Sequence, residues 1–116
     1  MFKIFPLDKR IYGIYTTLMK ILPEPLYFEW DEGNINKNLI KHKVTNQEVE
    51  EIFDNKPNFI IEDKKHSLKE KRYLIWGLTD KGRKLTAIFT IRKKKIRIIS
   101  ARDMNKKERK AYEENI

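Results

Sequence analysis

The sequence predicts an α+β domain, on three observations. Two helix-start signals stand in its first half, three strand-like segments run without a break from Tyr73 to Arg102, and a third helix start follows them. Two short N-terminal helices, an antiparallel sheet of about four strands and a C-terminal helix make a layered arrangement around one core. At 116 residues the chain has room for a single core of that kind.

The first helix is predicted after Trp30. Asp31 is a suitable N-cap, and Trp30 and Ile35 stand at the spacing of a hydrophobic staple. This helix would bury Ile35 and Leu39 and run into Lys41, His42 and Lys43, cations that suit a helix C-terminus. A second start follows at Thr45-Asn46-Gln47-Glu48, a capping box flanked by Val44 and Val49. That helix would bury Val49, Ile52 and Phe53 and stop before Pro57, because the residue ahead of a proline disfavours helix.

Phe59 to Glu62 is a short strand expected to pair with the strand starting near Arg72. Asp63 to Lys71 is a charged loop. The next three strands are divided by Asp80-Lys81-Gly82-Arg83, where Gly82 supplies positive φ, and by a turn within Arg92 to Lys95. Tight turns would pair Thr79 with Lys84 and Ile91 with Ile96. The two-residue period then puts Leu74, Trp76, Leu78, Leu85, Ala87, Phe89, Ile91, Ile96 and Ile98 on an apolar face for the two helices to cover. Tyr73, Ile75, Gly77, Lys84, Thr86, Ile88, Thr90, Arg97 and Ile99 would share the other, mixed face, with Arg92 at its rim. Asn105-Lys106-Lys107-Glu108 starts the last helix, Lys106 to Glu114, with Ala111 and Tyr112 on one side.

The lead-in is less patterned. Phe2 to Phe5 could be an edge strand and Tyr15 to Leu22 a short helix. Residues 1–27 read as an N-terminal extension and residues 28–116 as the domain. The apolar run from Ile11 to Leu22 contains Lys20, lacks a cleavage signal and is too short to span a bilayer, so a cytoplasmic protein is expected.

Lys and Arg total 26 against 17 Asp and Glu, for a net charge of +9 and a pI near 9.7. That balance favours a polyanionic partner over mere solubility. With no cysteine, disulfides and thiolate metal sites are excluded, and two histidines among scattered carboxylates form no metal-binding pattern.

Several segments together resemble the BrnT toxins of type II toxin–antitoxin systems. They are Trp30-Asp31-Glu32, Asn38-Leu39 with Lys41-His42 and Val44, Glu48 to Phe53-Asp54, Arg72 ahead of Trp76-Gly77, Gly82-Arg83, Thr90 with Arg92, Arg97 to Arg102, and Glu108-Arg109 with Tyr112-Glu113. The likeness runs from Phe28 to Glu114. It implies a small ribonuclease with a fold related to the RelE toxins, which slows growth by cutting RNA. It also implies a BrnA-like antitoxin with a ribbon-helix-helix region, through which the pair would bind promoter DNA. The chain departs from the family pattern at Asn34 (usually Lys), Lys43 (usually Gly) and Asn46 (usually aromatic), and residues 1–27 have no counterpart.

RNA cleavage without a metal or cofactor needs a base for the 2′-hydroxyl, cations for the phosphorane charge and an acid for the leaving oxygen. Arginine suits the second task because its planar fork meets two phosphate oxygens. Arg92 and Arg97, close across the last hairpin, are the candidates for catalytic phosphate contact, with Thr90 as a hydroxyl donor between them; a solvated sheet face is the plainer reading. Arg102 could hold phosphate or pair with Glu108. Arg72 could be catalytic or half of a rim ion pair. Arg83, in a turn, reads as exposed. His42 could carry a proton, with Lys41 beside it as an RNA contact, or could simply cap its helix. His66 reads as surface. Tyr73 could stack on a base or pack at the core edge, whereas Trp76 is core.

Two other functions fit the same chain: a basic RNA-binding or co-repressor module without catalysis, and a housekeeping ribosome-associated RNA-binding domain. RNA left intact by the protein would mark the first. Lack of a neighbouring ribbon-helix-helix reading frame would mark the second.

Overall fold

A computed structural model describes residues 21–67 and 69–116. Helix α1 spans Lys37–His42 and α2 Asn46–Asp54; β1 spans Phe59–Glu62, β2 Tyr73–Leu78, β3 Lys84–Arg92, β4 Lys95–Asp103, and α3 Lys106–Glu114. A 3-10 turn, Lys64–His66, lies between β1 and β2. Among the described residues the strands form one antiparallel sheet in the order β1-β2-β3-β4, with two helices before it and one after, as expected. The expected strand at Phe2 to Phe5 lies outside the described residues. So does most of the helix expected at Tyr15 to Leu22, of which Leu22 is buried in the core.

Capping boxes set two of the helices where the sequence places them. The Thr45 hydroxyl accepts the Glu48 N–H at 3.0 Å while the Glu48 carboxylate accepts the Thr45 N–H at 2.9 Å. Asn105 and Glu108 repeat the exchange at 2.8 and 2.9 Å. Helix α2 buries Val49, Ile52 and Phe53. Phe53 meets Phe28 and Phe89 edge to face, with ring centroids 5.2 and 5.1 Å apart.

Helix α1 departs from expectation. It starts at Lys37, behind Asn36 in the left-handed region (φ 58°), and leaves Ile35 and Leu39 more than 40% exposed. Asp31 caps a preceding turn instead, its carboxylate accepting the Gly33 N–H at 2.8 Å and its carbonyl the N–H of Asn34 and Ile35. The physical reason is the neighbour. This segment runs beside the backbone of β4, which requires amides rather than apolar side chains. Asn34 donates to the carbonyls of Glu29 (2.9 Å) and Ile98 (3.2 Å), and Asn38 accepts the Ala101 N–H at 2.9 Å. Both asparagines are buried. Just before them, Ile96 donates to the Tyr27 carbonyl and accepts from Glu29 N–H, each at 2.8 Å.

The register of β2 also differs from expectation. Leu78, not Thr79, pairs with Lys84, so Leu74 faces Ile88 and Trp76 faces Thr86. The turn is one residue longer because Thr79 closes it three ways: its N–H donates to the Arg83 carbonyl, its carbonyl accepts from Gly82, and its hydroxyl accepts the Arg83 N–H, all at 2.9 Å. Gly82 has the expected positive φ, 85°. A slip of one residue turns every β2 side chain over. Tyr73, Ile75 and Gly77 therefore face α2, and Leu74, Trp76 and Leu78 face the other way. The last hairpin keeps the expected pairing of Ile91 with Ile96, until a bulge beside Ile88 and Phe89 shifts Ser100 opposite Ile88.

Both sheet faces are consequently covered in part. Ile60, Ile75, Leu85, Ala87, Phe89, Ile96, Ile98 and Ala101 pack with α2. Phe59, Ile61 and Trp76 pack with Met104 and Tyr112, so the mixed face lies partly under α3.

Glu108 fixes α3 to this second layer. Burial pushes its carboxyl up, but Arg102 at 2.7 Å and the Asn105 N–H outweigh burial and hold it below the usual range. A depressed folded pKa contributes stability that is complete above the unfolded value, near 4.5, and is lost as pH falls through the folded one. Glu108→Gln is expected to cost about 1–2 kcal/mol at pH 7. Melting curves should show that difference shrinking below about pH 4; a constant difference down to pH 3 would contradict the pairing.

Candidate functional site

One groove on the mixed side gathers Lys65, Lys69, Arg72 and Arg92 around Glu70 and His66. Its frame is the loop between β1 and β2, closed on itself by Ser67. The Ser67 hydroxyl donates to the Asp63 carbonyl at 2.6 Å and accepts the Arg72 N–H at 3.0 Å, and the Asp63 N–H donates to the Arg72 carbonyl at 2.8 Å. The Thr90 hydroxyl then ties the loop to β3 by donating to the Lys71 carbonyl at 2.8 Å. Lys65, His66, Lys69, Glu70, Arg72 and Arg92 thereby line a groove of about 600 Å³.

Within it the Arg92 fork closes on Glu70, Nε to Oε2 at 3.0 Å and a terminal nitrogen to Oε1 at 2.8 Å. This bidentate pair is a carboxylate in the geometry a phosphate would adopt. Hydrogen bonding to Arg92, against a smaller burial effect, holds the Glu70 carboxyl below its usual range. His66 places Nδ1 2.9 Å from Asp63 Oδ2, which orients the ring. A lone histidine in a lysine-rich loop carries no signal in the sequence; only the fold of the loop brings it to Arg72 and Arg92.

The predicted site residues divide. Arg92 and Arg72 share the groove, and the β2 slip is what carries Arg72 there rather than to the helix-covered side. Arg97 is opposite Thr90 and near enough for its charge to work against that of Arg92. Its side chain is only 15% exposed, because the 29–33 segment folds over it: Glu29 accepts at 2.9 Å, Asp31 at 2.7 and 3.0 Å. Thr90 is buried as the loop anchor rather than presented to solvent.

Tyr73 faces the α2 side and stacks on Phe89, with ring centroids 5.4 Å apart, so it does not share a face with Arg92. Arg102 is paired with Glu108 at 2.7 and 3.2 Å, the structural alternative of its two readings. His42 and the exposed Lys41 end α1 near Asp103, at the far end of β4. Leu85 pairs with Asp103 and Arg92 with Lys95, which separates these ends by roughly 20 Å at the usual rise per residue. They are not part of the groove.

Arg83, expected to be an exposed turn residue, is instead a junction. It bonds Asp103 at 2.7 and 3.0 Å, Glu48 at 3.2 Å and the Lys43 carbonyl at 2.9 Å, tying both helices' ends to the sheet. Among the described residues no group of three or more His, Asp or Glu is placed to hold a metal ion, and no helix is long and apolar enough to cross a membrane.

Residues 30–108 match a family model described as "Ribonuclease toxin, BrnT, of type II toxin-antitoxin system". No curated protein sequence matches the chain.

Proposed function

The chain belongs to the BrnT family of ribonuclease toxins, and we propose that it is a metal-independent endoribonuclease whose active site is the Arg72–Arg92 groove. The observation that carries this reading is the convergence of Lys65, His66, Lys69, Arg72 and Arg92 on one concave surface. The Arg92–Glu70 pair is open to solvent, which screens it, so it is easily exchanged. An RNA phosphate replaces Glu70 on the Arg92 fork, and Arg72 adds a second cation. Arg97, its charge offset by Glu29 and Asp31, holds the 29–33 segment in place behind the groove.

His66, oriented by Asp63, takes the 2′-hydroxyl proton. The 2′-oxygen attacks phosphorus, the bond to the 5′-oxygen breaks, and Lys65 or Lys69 protonates the departing oxygen. The products are a 2′,3′-cyclic phosphate and a free 5′-hydroxyl. The partner is a BrnA-like antitoxin that neutralises the toxin and carries promoter DNA binding, and the fold is RelE-like.

Purified protein should cut single-stranded RNA equally well with and without EDTA and leave cyclic phosphate ends. His66→Gln should slow cleavage roughly 10²-fold, within the usual range for a lost general base. RNA left whole by the wild-type chain would instead favour a non-catalytic co-repressor. Abolition by EDTA would remove the metal-free mechanism.

A further inference from the structure

The β3–β4 hairpin turns on Lys93 and Lys94, and both have positive φ, 49° and 64°. A two-residue turn of that shape is suited to Asn-Gly, because Cβ is crowded in the left-handed region, glycine has none and the short asparagine amide can bond locally to offset it. Two consecutive lysines are therefore a poor local choice. Such residues persist where the position serves something other than its own conformation.

What they offer is charge. Lys93, Lys94 and Lys95 are all exposed. Among the described residues none of them forms an ion pair, in contrast to Arg83, Arg92, Arg97 and Arg102, each closed on a carboxylate. Arg92 and Lys95 are the closing pair of the hairpin and share a face, so the tip continues directly from the groove. The two turn lysines lie one or two residues beyond Arg92, within about 7 Å along the strand direction.

We propose that this hairpin tip is a second RNA-backbone contact, holding the phosphates that flank the scissile one. It rests on the ribonuclease reading of the groove and adds the length requirement of the substrate: the RNA must extend at least a nucleotide or two past the cut on the tip side. Lysine suits such a contact as a point charge without base readout, so the tip confers affinity and salt dependence but no sequence preference.

The test replaces Lys93 by Asn and Lys94 by Gly, the pair the turn itself prefers. The variant should melt at a higher temperature than the wild type. It should nevertheless bind a 2′-O-methyl RNA of about twelve nucleotides, which has no free 2′-hydroxyl to attack, roughly five- to tenfold more weakly at ~0.1 M salt. The slope of log affinity against log salt should become shallower by about 1.4. Lys93→Gln with Lys94→Gln removes charge alone and should show the same loss. Unchanged affinity and slope in both variants would overturn the assignment. Cleavage of the matching unmodified RNA by the wild-type chain is measured separately. Its absence would sink the ribonuclease reading whatever the binding result.

Discussion

Arg92→Ala should abolish growth arrest and lower RNA cleavage by roughly 10²–10³-fold, the range seen when one donor to a developing anion is removed. The fold should survive. Arg92 and Glu70 are 49% and 34% exposed, and a pair so open to solvent contributes little to stability. A midpoint shift of no more than a few degrees is therefore expected alongside the lost activity.

Arg97→Ala separates the two arginines. Its guanidinium is clasped by Glu29 and Asp31, and a Cβ on Gly33 would come within 2.8 Å of it, so this contact is built into the packing of the 29–33 segment. Removing it should loosen that segment as well as slow cleavage. An Arg92→Ala protein that still cuts RNA at the wild-type rate would remove the groove from consideration.

The largest effect on stability is expected from Gly77→Ala. A Cβ there would stand 2.8 Å from the Ile52 carbonyl oxygen and 2.9 Å from Ile52 Cβ. Both are parts of α2, which cannot retreat without separating Val49, Ile52 and Phe53 from the sheet. Overpacking of this kind costs about 1–3 kcal/mol, or roughly 5–15 °C in melting temperature for a domain of this size. Gly82→Ala is the informative control. It meets nothing within 4 Å and bears only the penalty of a left-handed backbone. A Gly77→Ala protein as stable as the wild type would mean that α2 does not press on Gly77.

The same glycine shows what sequence could and could not supply. Local rules located α2 and α3, because a capping box is complete within four residues and depends on nothing distant. The last hairpin was legible for the same reason: its two ends are adjacent in the chain. The β2–β3 register was not, since the Thr79 hydroxyl extends the turn by one residue and so moves Gly77 and Tyr73 to the α2 side and Arg72 to the groove. Helix α1 departs from amphipathic spacing because its neighbour is peptide backbone, and that spacing describes only helices that meet apolar surface. Arg83 and His66 acquire their partners from segments up to 40 residues away or from a folded loop, and no pattern in the chain marks either.

Asn34, Asn38 and the 27–29 segment have one further implication. They occupy both outward groups of Ile96, the Ile98 carbonyl and the Ala101 N–H, so rungs along that stretch of the sheet border are already taken. A protein partner cannot dock here by adding a strand of its own. Any antitoxin segment that approaches β4 must bind through side chains, and two copies of the toxin cannot zip together edge to edge along it.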